Sequence, residues 1–362
     1  MTGLQIILEE RYATKKNLDR IMQLSPDARV AVFHIRERYP MARIVRGVFR
    51  RTLPWFLYNS LSKKLDPASD AQKIEWVHPP ASDMTTILLY PPGFHYHAAE
   101  RLLAKLSPCW IHSITTGTDQ IPSLPAGVLL TNPRGIHSLR IAEFTIGLIF
   151  ALAKNIPQHT SQTRRRIWKP LPSEMIQGSR LGIVGLGSIG REVARLAKAV
   201  GMEVWAVKRE VTNVDFVDHV LRHEGLPYLL SNVDYVLVAV PLTEETRDLI
   251  GKDELNMMKP TACLINISRG RVIDETSLYQ ALKNSSIRAA CIDVFQDEKP
   301  LPPNSQFYKL PNLLITSYSA YYSRDSINQI MDQFFENLRR FVVDEPLLNP
   351  VYPGLHSHDP PT

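Results

Sequence analysis

A short apolar run, Leu181 to Val184, breaks into Gly185-Leu186-Gly187-Ser188-Ile189-Gly190, and that spacing can cradle phosphate. Ile189, Val193, Leu196, Ala197 and Val200 then repeat at helical spacing up to Gly201, and Met202 to Val207 starts a second apolar strand. In a strand, turn, helix, strand unit the first glycine permits the tight turn and the second lets a pyrophosphate approach the backbone. The third lets helix and strand pack closely, with phosphate facing the helix N-terminus. A dinucleotide is the expected ligand. Where an acid normally accepts hydrogen bonds from the ribose of NAD, the second strand ends on Lys208-Arg209. Two cations suit a 2'-phosphate, so NADP is expected as the cofactor and NAD as the second choice. Two solvated charges at a strand end are the alternative.

The elements that must hold this turn repeat along the chain. Apolar runs at 181–184, 203–207, 234–240, 261–267, 287–294 and 312–316 alternate with helical segments, which predicts a doubly wound parallel sheet of six strands. Ligands of such a sheet sit beyond the carboxyl ends of the strands, so the loops there are the place to look. They carry Val240-Pro241 with Thr246, Ile267-Ser268-Arg269, Asp293 with Glu298, and Ser317-Tyr318. Upstream, runs at 4–9, 30–35, 73–78, 85–90, 110–115 and 127–131 predict a first α/β domain, which a long apolar helix from Leu139 to Ile156 leaves. An amphipathic helix from Arg324 to Val343 precedes a proline-rich tail.

The chain has 362 residues, enough for two domains, and a net charge of +6. Between Arg36 and Asp66 eight cations face two acids, so this one segment accounts for the whole excess and an extended nucleic-acid-binding face is not expected. Within it, Met41, Ile44, Val45, Val48, Phe49 and Leu53 share one helical face opposite four arginines, and an aromatic stretch runs on to Tyr58. Such a helix packs on its own domain, or it lies on an anionic membrane or a partner. Cys109, Cys263 and Cys291 have no metal-ligand spacing and read as buried thiols of a reducing compartment. No signal-like or bilayer-spanning run appears, and a cytoplasmic protein is expected.

Thr116-Gly117-Thr118-Asp119, Ala142-Glu143, the glycine turn, PLTEETRDLIG at 241–251, LINISRGRVIDE at 264–275 and IDVF at 292–295 follow in one order. On these motifs the chain resembles the D-isomer-specific 2-hydroxyacid dehydrogenases from about Leu106 to Val351. The resemblance implies a Rossmann cofactor domain at about 141–318, inserted into a discontinuous flavodoxin-like substrate domain formed by 1–140 and 319–362. It also implies a homodimer made largely through the cofactor domain. Carried over by position, Arg269 grips the substrate carboxylate and polarises its carbonyl, a task suited to a guanidinium fork. Glu298 matches the acid that orients and tunes a catalytic histidine, although Lys299 interrupts the usual Glu-Pro pair. Asp293 faces the nicotinamide carboxamide. Gly185, Gly187, Ser188, Ile189, Gly190, Val240, Pro241, Thr246 and Ile267 hold the rest of the cofactor, and backbone groups around Thr116 and Gly117 hold the substrate carboxylate.

The sequence departs from that pattern where it matters most. The family's Pro-His after the last strand is replaced by Ser317-Tyr318. A phenol with a pKa of ~10 is protonated at neutral pH, so Tyr318 can donate a proton to a nascent alkoxide, but it is a poor base. An ionised Glu298 nearby would disfavour tyrosinate further. This points to ketone reduction. The alternative is that Tyr318 only fills the vacated imidazole volume. The stretch Pro91 to Glu100 is similar to the substrate loop of formate dehydrogenases, which makes His95 or His97 the next candidate donors or substrate contacts, ahead of His137. Three functions therefore stand. One is an NADP-preferring 2-keto acid reductase with no metal. Another is a dinucleotide-binding regulator or scaffold that resembles the C-terminal-binding-protein corepressors and has lost the proton relay. The third is an enzyme of the same clan acting on an atypical substrate for which a phenol is the wanted donor.

Overall fold

The computed structural model describes residues 4–37, 72–78, 80–81, 84–91, 96–118, 121–209, 214–296, 301–323 and 325–351. The amphipathic stretch at 41–58 and most of the basic segment 36–66 lie outside these residues. The chain divides into two compact units, one formed by Met1–Arg134 with Arg324–Thr362 and one by Gly135–Ser323.

In the first unit the order is β1 (Leu4–Glu9), α1 (Lys15–Leu24), β2 (Arg29–Glu37), β3 (Gln72–His78), β4 (Thr85–Tyr90), α2 (Tyr96–Leu106), β5 (Trp110–Ser113) and β6 (Leu129–Thr131). These strands form a sheet in the order β3-β2-β1-β4-β5-β6, parallel except for the edge strand β3. β1 and β4 are buried almost end to end, as expected of parallel strands covered on both faces. One face packs Ile7, Phe33, Leu88 and Ile111 against Leu102, Leu103 and Leu106 of α2.

The second unit contains α3 (Ser138–Ala153), α4 (Ile156–Arg164), β7 (Arg180–Val184), α5 (Ser188–Ala199), β8 (Glu203–Val207), β9 (His219–Leu221), α6 (Leu226–Asn232), β10 (Tyr235–Val238), α7 (Lys252–Met257), β11 (Cys263–Asn266), α8 (Glu275–Lys283), β12 (Ala289–Ile292) and β13 (Leu313–Ile315). Its sheet runs β13-β12-β11-β10-β7-β8-β9, parallel throughout. Alternate residues of each strand feed opposite faces. Ile183, Leu237 and Ile265 meet Val193, Ala194 and Ala197 of α5. Val184, Val236, Val238 and Leu264 meet Leu229, Leu230, Leu255 and Leu278. The strand order reverses between β7 and β10, so the glycine turn after β7 stands at a topological switch point.

After β13 the chain re-enters the first unit as α9 (Ser326–Val342). Phe334 of α9 stacks on Trp110 of β5 with centroids 5.8 Å apart, and Arg20 of α1 pairs with Asp332 and covers the Phe335 ring at 4.4 Å.

Three expectations need correction. The second sheet has seven strands and not six, because β9 adds a short edge that pairs with β8 through Trp205, Ala206 and Val207. The long helix expected over 139–156 ends at Ala153; Asn155 then turns left-handed (φ 52°) and caps α4, whose first turn holds Pro157. Cys109 is only half-buried, with its Sγ 3.2 Å from the Thr86 carbonyl, whereas Cys263 and Cys291 are buried; all three are free thiols. Among the described residues no helix is long and apolar enough to cross a membrane.

Candidate active site

The turn after β7 is cramped on every side. Gly185 has φ 103°, and a Cβ there would stand 2.7 Å from Val240 Cγ1 and 2.8 Å from the Ala239 carbonyl oxygen. A Cβ on Gly190 would meet the Gly185 carbonyl oxygen at 2.4 Å. Both positions therefore require glycine, one for its left-handed backbone and one for close packing of α5 on the turn. Gly187 is the extended N-cap of α5 and no side chain among the described residues caps that helix, so its first-turn N–H groups and the positive end of its dipole face the turn. Ser188 and Ile189, in the first turn, are half-buried. This cradle fits the diphosphate of a dinucleotide.

Around the turn, Lys208 follows β8 directly. Its backbone N–H donates to the Leu221 carbonyl of β9 (2.9 Å), which fixes the strand tip, and Arg209 beside it is exposed. Val240 is half-buried and Pro241 exposed after β10. Thr246 Oγ1 donates to the Pro241 carbonyl (2.7 Å) and accepts from the Thr243 N–H (2.7 Å), so this threonine closes the loop that carries Pro241. Ile267, after β11, is buried.

The next three loops are tied to one another. Asn266, at the end of β11 and 1% exposed, accepts from the Ser268 N–H (3.0 Å) and hydroxyl (2.9 Å) and donates to the Arg269 carbonyl (3.0 Å). This turn presents the half-buried Arg269, one of whose Nη groups donates to the Ser268 carbonyl (3.2 Å). Gly270 then packs on the backbone of Phe295 and Gln296. The Asp293 N–H donates to the Asn266 carbonyl at 3.0 Å, so the loops after β11 and β12 share backbone as well as packing.

Asp293 is 4% exposed and joins the last loop to this frame. Its Oδ1 accepts from Thr316 Oγ1 (2.6 Å) and from the Ser319 N–H (2.8 Å), its Oδ2 from the Ala320 N–H (3.1 Å), and its carbonyl from the Tyr318 N–H (2.8 Å). Inside this bracket Ser317 (φ 55°) and Tyr318 (φ 58°) are consecutive left-handed residues, a conformation that costs non-glycine residues roughly 1–2 kcal/mol each. Hydrogen bonds to a charged group contribute about 1.5–3 kcal/mol apiece, so the carboxylate's three can offset that strain. The Tyr318 side chain is 40% exposed, and its ring meets Tyr321 edge-on at 5.0 Å.

Tyr321 in turn meets His137, just ahead of α3, at 5.9 Å. Burial, and then the negative charge of Asp293, raise the Tyr321 phenol above its ordinary pKa. Burial, and then Arg140, lower that of His137, whose buried Nδ1 has no hydrogen-bond partner among the described residues. Tyr321 carried no signal in the sequence beyond its place three residues after Tyr318.

In the first unit, Thr116 and Gly117 lie on the loop after β5. Asn132 Nδ2 donates to the Thr116 carbonyl (2.7 Å) and Thr115 Oγ1 to that of Gly117 (2.9 Å), which consumes the carbonyls of this turn locally. His97 belongs to α2, and nothing is described of its side chain. His95 and Glu298 lie outside the described residues.

With this geometry in view, residues 146–320 match the family pattern described as "D-isomer specific 2-hydroxyacid dehydrogenase, NAD binding domain". A glyoxylate reductase of Korarchaeum cryptofilum is 36% identical over 225 residues, 59% of this chain and 66% of that protein. A glycerate dehydrogenase of Methylorubrum extorquens is 34% identical over 246 residues, 64% of this chain and 75% of that protein. Aligned stretches thus span about two thirds to three quarters of these two relatives. A crystal structure of a D-isomer specific 2-hydroxyacid dehydrogenase from Xanthobacter autotrophicus Py2, in complex with NADPH and MES, matches the fold with a TM-score of 0.72. It does so at 24% identity over 98% of this chain and 99% of that one.

Proposed function

Because the chain belongs to the D-isomer specific 2-hydroxyacid dehydrogenase family and carries its nicotinamide-dinucleotide-binding domain, we propose that it reduces a small 2-keto acid to the D-2-hydroxy acid, with NADPH preferred over NADH. The observation that carries this reading is the frame in which Asn266, Gly270 and Asp293 tie the loop of Arg269 to the loop of Tyr318. A scaffold that only bound dinucleotide would have no use for a guanidinium and a phenol held in register.

In this proposal Arg269 holds the substrate carboxylate through charge-assisted hydrogen bonds and draws electron density from the adjacent carbonyl. The dinucleotide, when bound, supplies the hydride. Tyr318 gives its phenolic proton to the alkoxide oxygen as that oxygen gains charge, and water restores the phenol afterwards. Glu298, an acid after β12, adds negative charge and keeps the phenol protonated between turnovers. Thr116 and Gly117 assist in holding the carboxylate, with His95 and His97 as further substrate contacts. Lys208 and Arg209 bind the 2'-phosphate of NADPH, while the glycine turn, with Ser188 and Ile189, takes the diphosphate. Val240, Pro241, Thr246 and Ile267 flank the rest of the cofactor. Asp293 is retained as the group that faces the carboxamide.

We also propose a cytoplasmic homodimer formed through the second unit. No residue of α4 is buried, and Ile156, Trp168 and Met175 stand exposed on and after it.

The test is loss of NADPH absorbance at 340 nm with purified protein and a panel of glyoxylate, hydroxypyruvate, pyruvate and longer 2-keto acids. Turnover with any of them supports the reductase. Tight NADPH binding with no member of the panel consumed would instead favour the cofactor-dependent regulator.

A further inference from the structure

We propose that Asp293 is a positioning residue whose carboxylate holds Ser317 and Tyr318 in consecutive left-handed conformations and thereby fixes where the Tyr318 phenol stands. The kinetic part of this inference rests on the proposed role of Tyr318 as proton donor; the conformational part does not.

In an extended strand successive N–H groups point to opposite sides, so one carboxylate cannot receive two of them in a row. Asp293 receives the N–H groups of Ser319 and Ala320 together, at 2.8 Å and 3.1 Å. The segment must curl into an anion-binding concavity to deliver both. Thr316 Oγ1 adds a bond to Oδ1 from the start of the curl, and the Asp293 carbonyl takes the Tyr318 N–H in its middle. The curl is therefore anchored at 316, 318, 319 and 320 by a single residue. Neither Ser317 nor Tyr318 is of a type that adopts positive φ readily, so residue type does not account for φ values of 55° and 58°. The account lies in the buried carboxylate facing it.

An amide at this position retains one acceptor oxygen and sets an N–H group against the Ala320 N–H. Asp293→Asn should thus release the curl while keeping side-chain volume. In a crystal structure of the full-length Asp293→Asn protein, Ser317 and Tyr318 are expected to leave the left-handed region. With NADPH and the preferred keto acid, kcat should fall on the order of tenfold to a hundredfold, the scale of a misplaced reacting group. KM for the keto acid should stay within about twofold. Thr316→Val, a milder change that removes one donor, should move kcat in the same direction by less. Ser317→Gly, which adopts positive φ freely, should recover part of the loss in Asp293→Asn. In a Tyr318→Phe background Asp293→Asn should cost little further, since both changes act on one group.

A curl that persists unchanged in Asp293→Asn would overturn the proposal. So would an equal loss of kcat in the wild-type and Tyr318→Phe backgrounds, or weaker NADPH binding with kcat preserved, which would make Asp293 a cofactor ligand only. If Tyr318→Phe alone leaves kcat unchanged, the proton-donor assignment fails, and the crystal structure of Asp293→Asn still decides the conformational claim.

Discussion

Gly270 lies so close to the backbone of Phe295 that a Cβ built on it would stand 2.0 Å from the Phe295 carbonyl carbon and 2.1 Å from its oxygen. The obstacle is main chain that runs straight from Asp293, so it cannot swing aside as a side chain would. Gly270→Ala is expected to destabilise the second unit by roughly 1–3 kcal/mol, as overpacking does, and to displace the neighbouring Arg269. Thermal unfolding and keto acid kcat/KM should both fall. A variant with an unchanged Tm would show that the two loops are less closely joined than described.

Cofactor choice should be separable from cofactor binding. Removal of both cations at the tip of β8, in Lys208→Ala/Arg209→Ala, is expected to weaken NADPH binding about tenfold or more, because hydrogen bonds to charged groups contribute about 1.5–3 kcal/mol. NADH binding should hardly change. Fluorescence titration with both dinucleotides measures this, and an intact NADPH affinity would remove the basis for the NADP preference.

The first unit should lose stability in acid through His112. Its ring is fully buried between Trp110 and Phe334, with Nδ1 2.7 Å from Thr131 Oγ1, and burial pulls its pKa down to about 3 from 6.5. Between those values the unfolded chain binds a proton that the folded chain does not, so stability is full above about pH 6.5 and declines as pH falls toward 3. Urea midpoints from pH 7 to 4 should show this, with a shallower slope for His112→Gln. An identical slope in the variant would mean that other groups carry the acid sensitivity.

The exposed stretch after α4 should be covered by a second copy. Trp168 is fully exposed, although Glu174 pairs with Arg288 and its N–H donates to the Ala153 carbonyl, which tethers the segment to the body. Trp168→Ala combined with Met175→Ser is expected to shift the protein from dimer toward monomer in analytical ultracentrifugation. A wild-type protein that sediments as a monomer would contradict the proposed assembly.

Much of this was legible in the sequence for identifiable reasons. The glycine turn was readable because phosphate binding and tight packing both demand glycine at Gly185 and Gly190, and the strands because burial on both faces leaves continuous apolar runs. β9 was missed because three residues, His219 to Leu221, carry no period. The end of α3 was placed too late because a left-handed Asn155 leaves little trace ahead of Pro157. The curl at Ser317-Tyr318 was illegible because its cause is Asp293, 24 and 25 residues upstream in the chain, and local residue types argue against it. The meeting of Tyr321 with His137 across 184 positions was hidden for the same reason: tertiary packing made it.

The most direct measurement is the steady-state rate of NADPH oxidation with the preferred keto acid, wild type against Tyr318→Phe. The phenol as proton donor predicts a wild-type rate that falls by about 10²–10⁴ in the variant, the scale of general acid catalysis, with NADPH affinity retained. A Tyr318→Phe protein that keeps pace with wild type would contradict it.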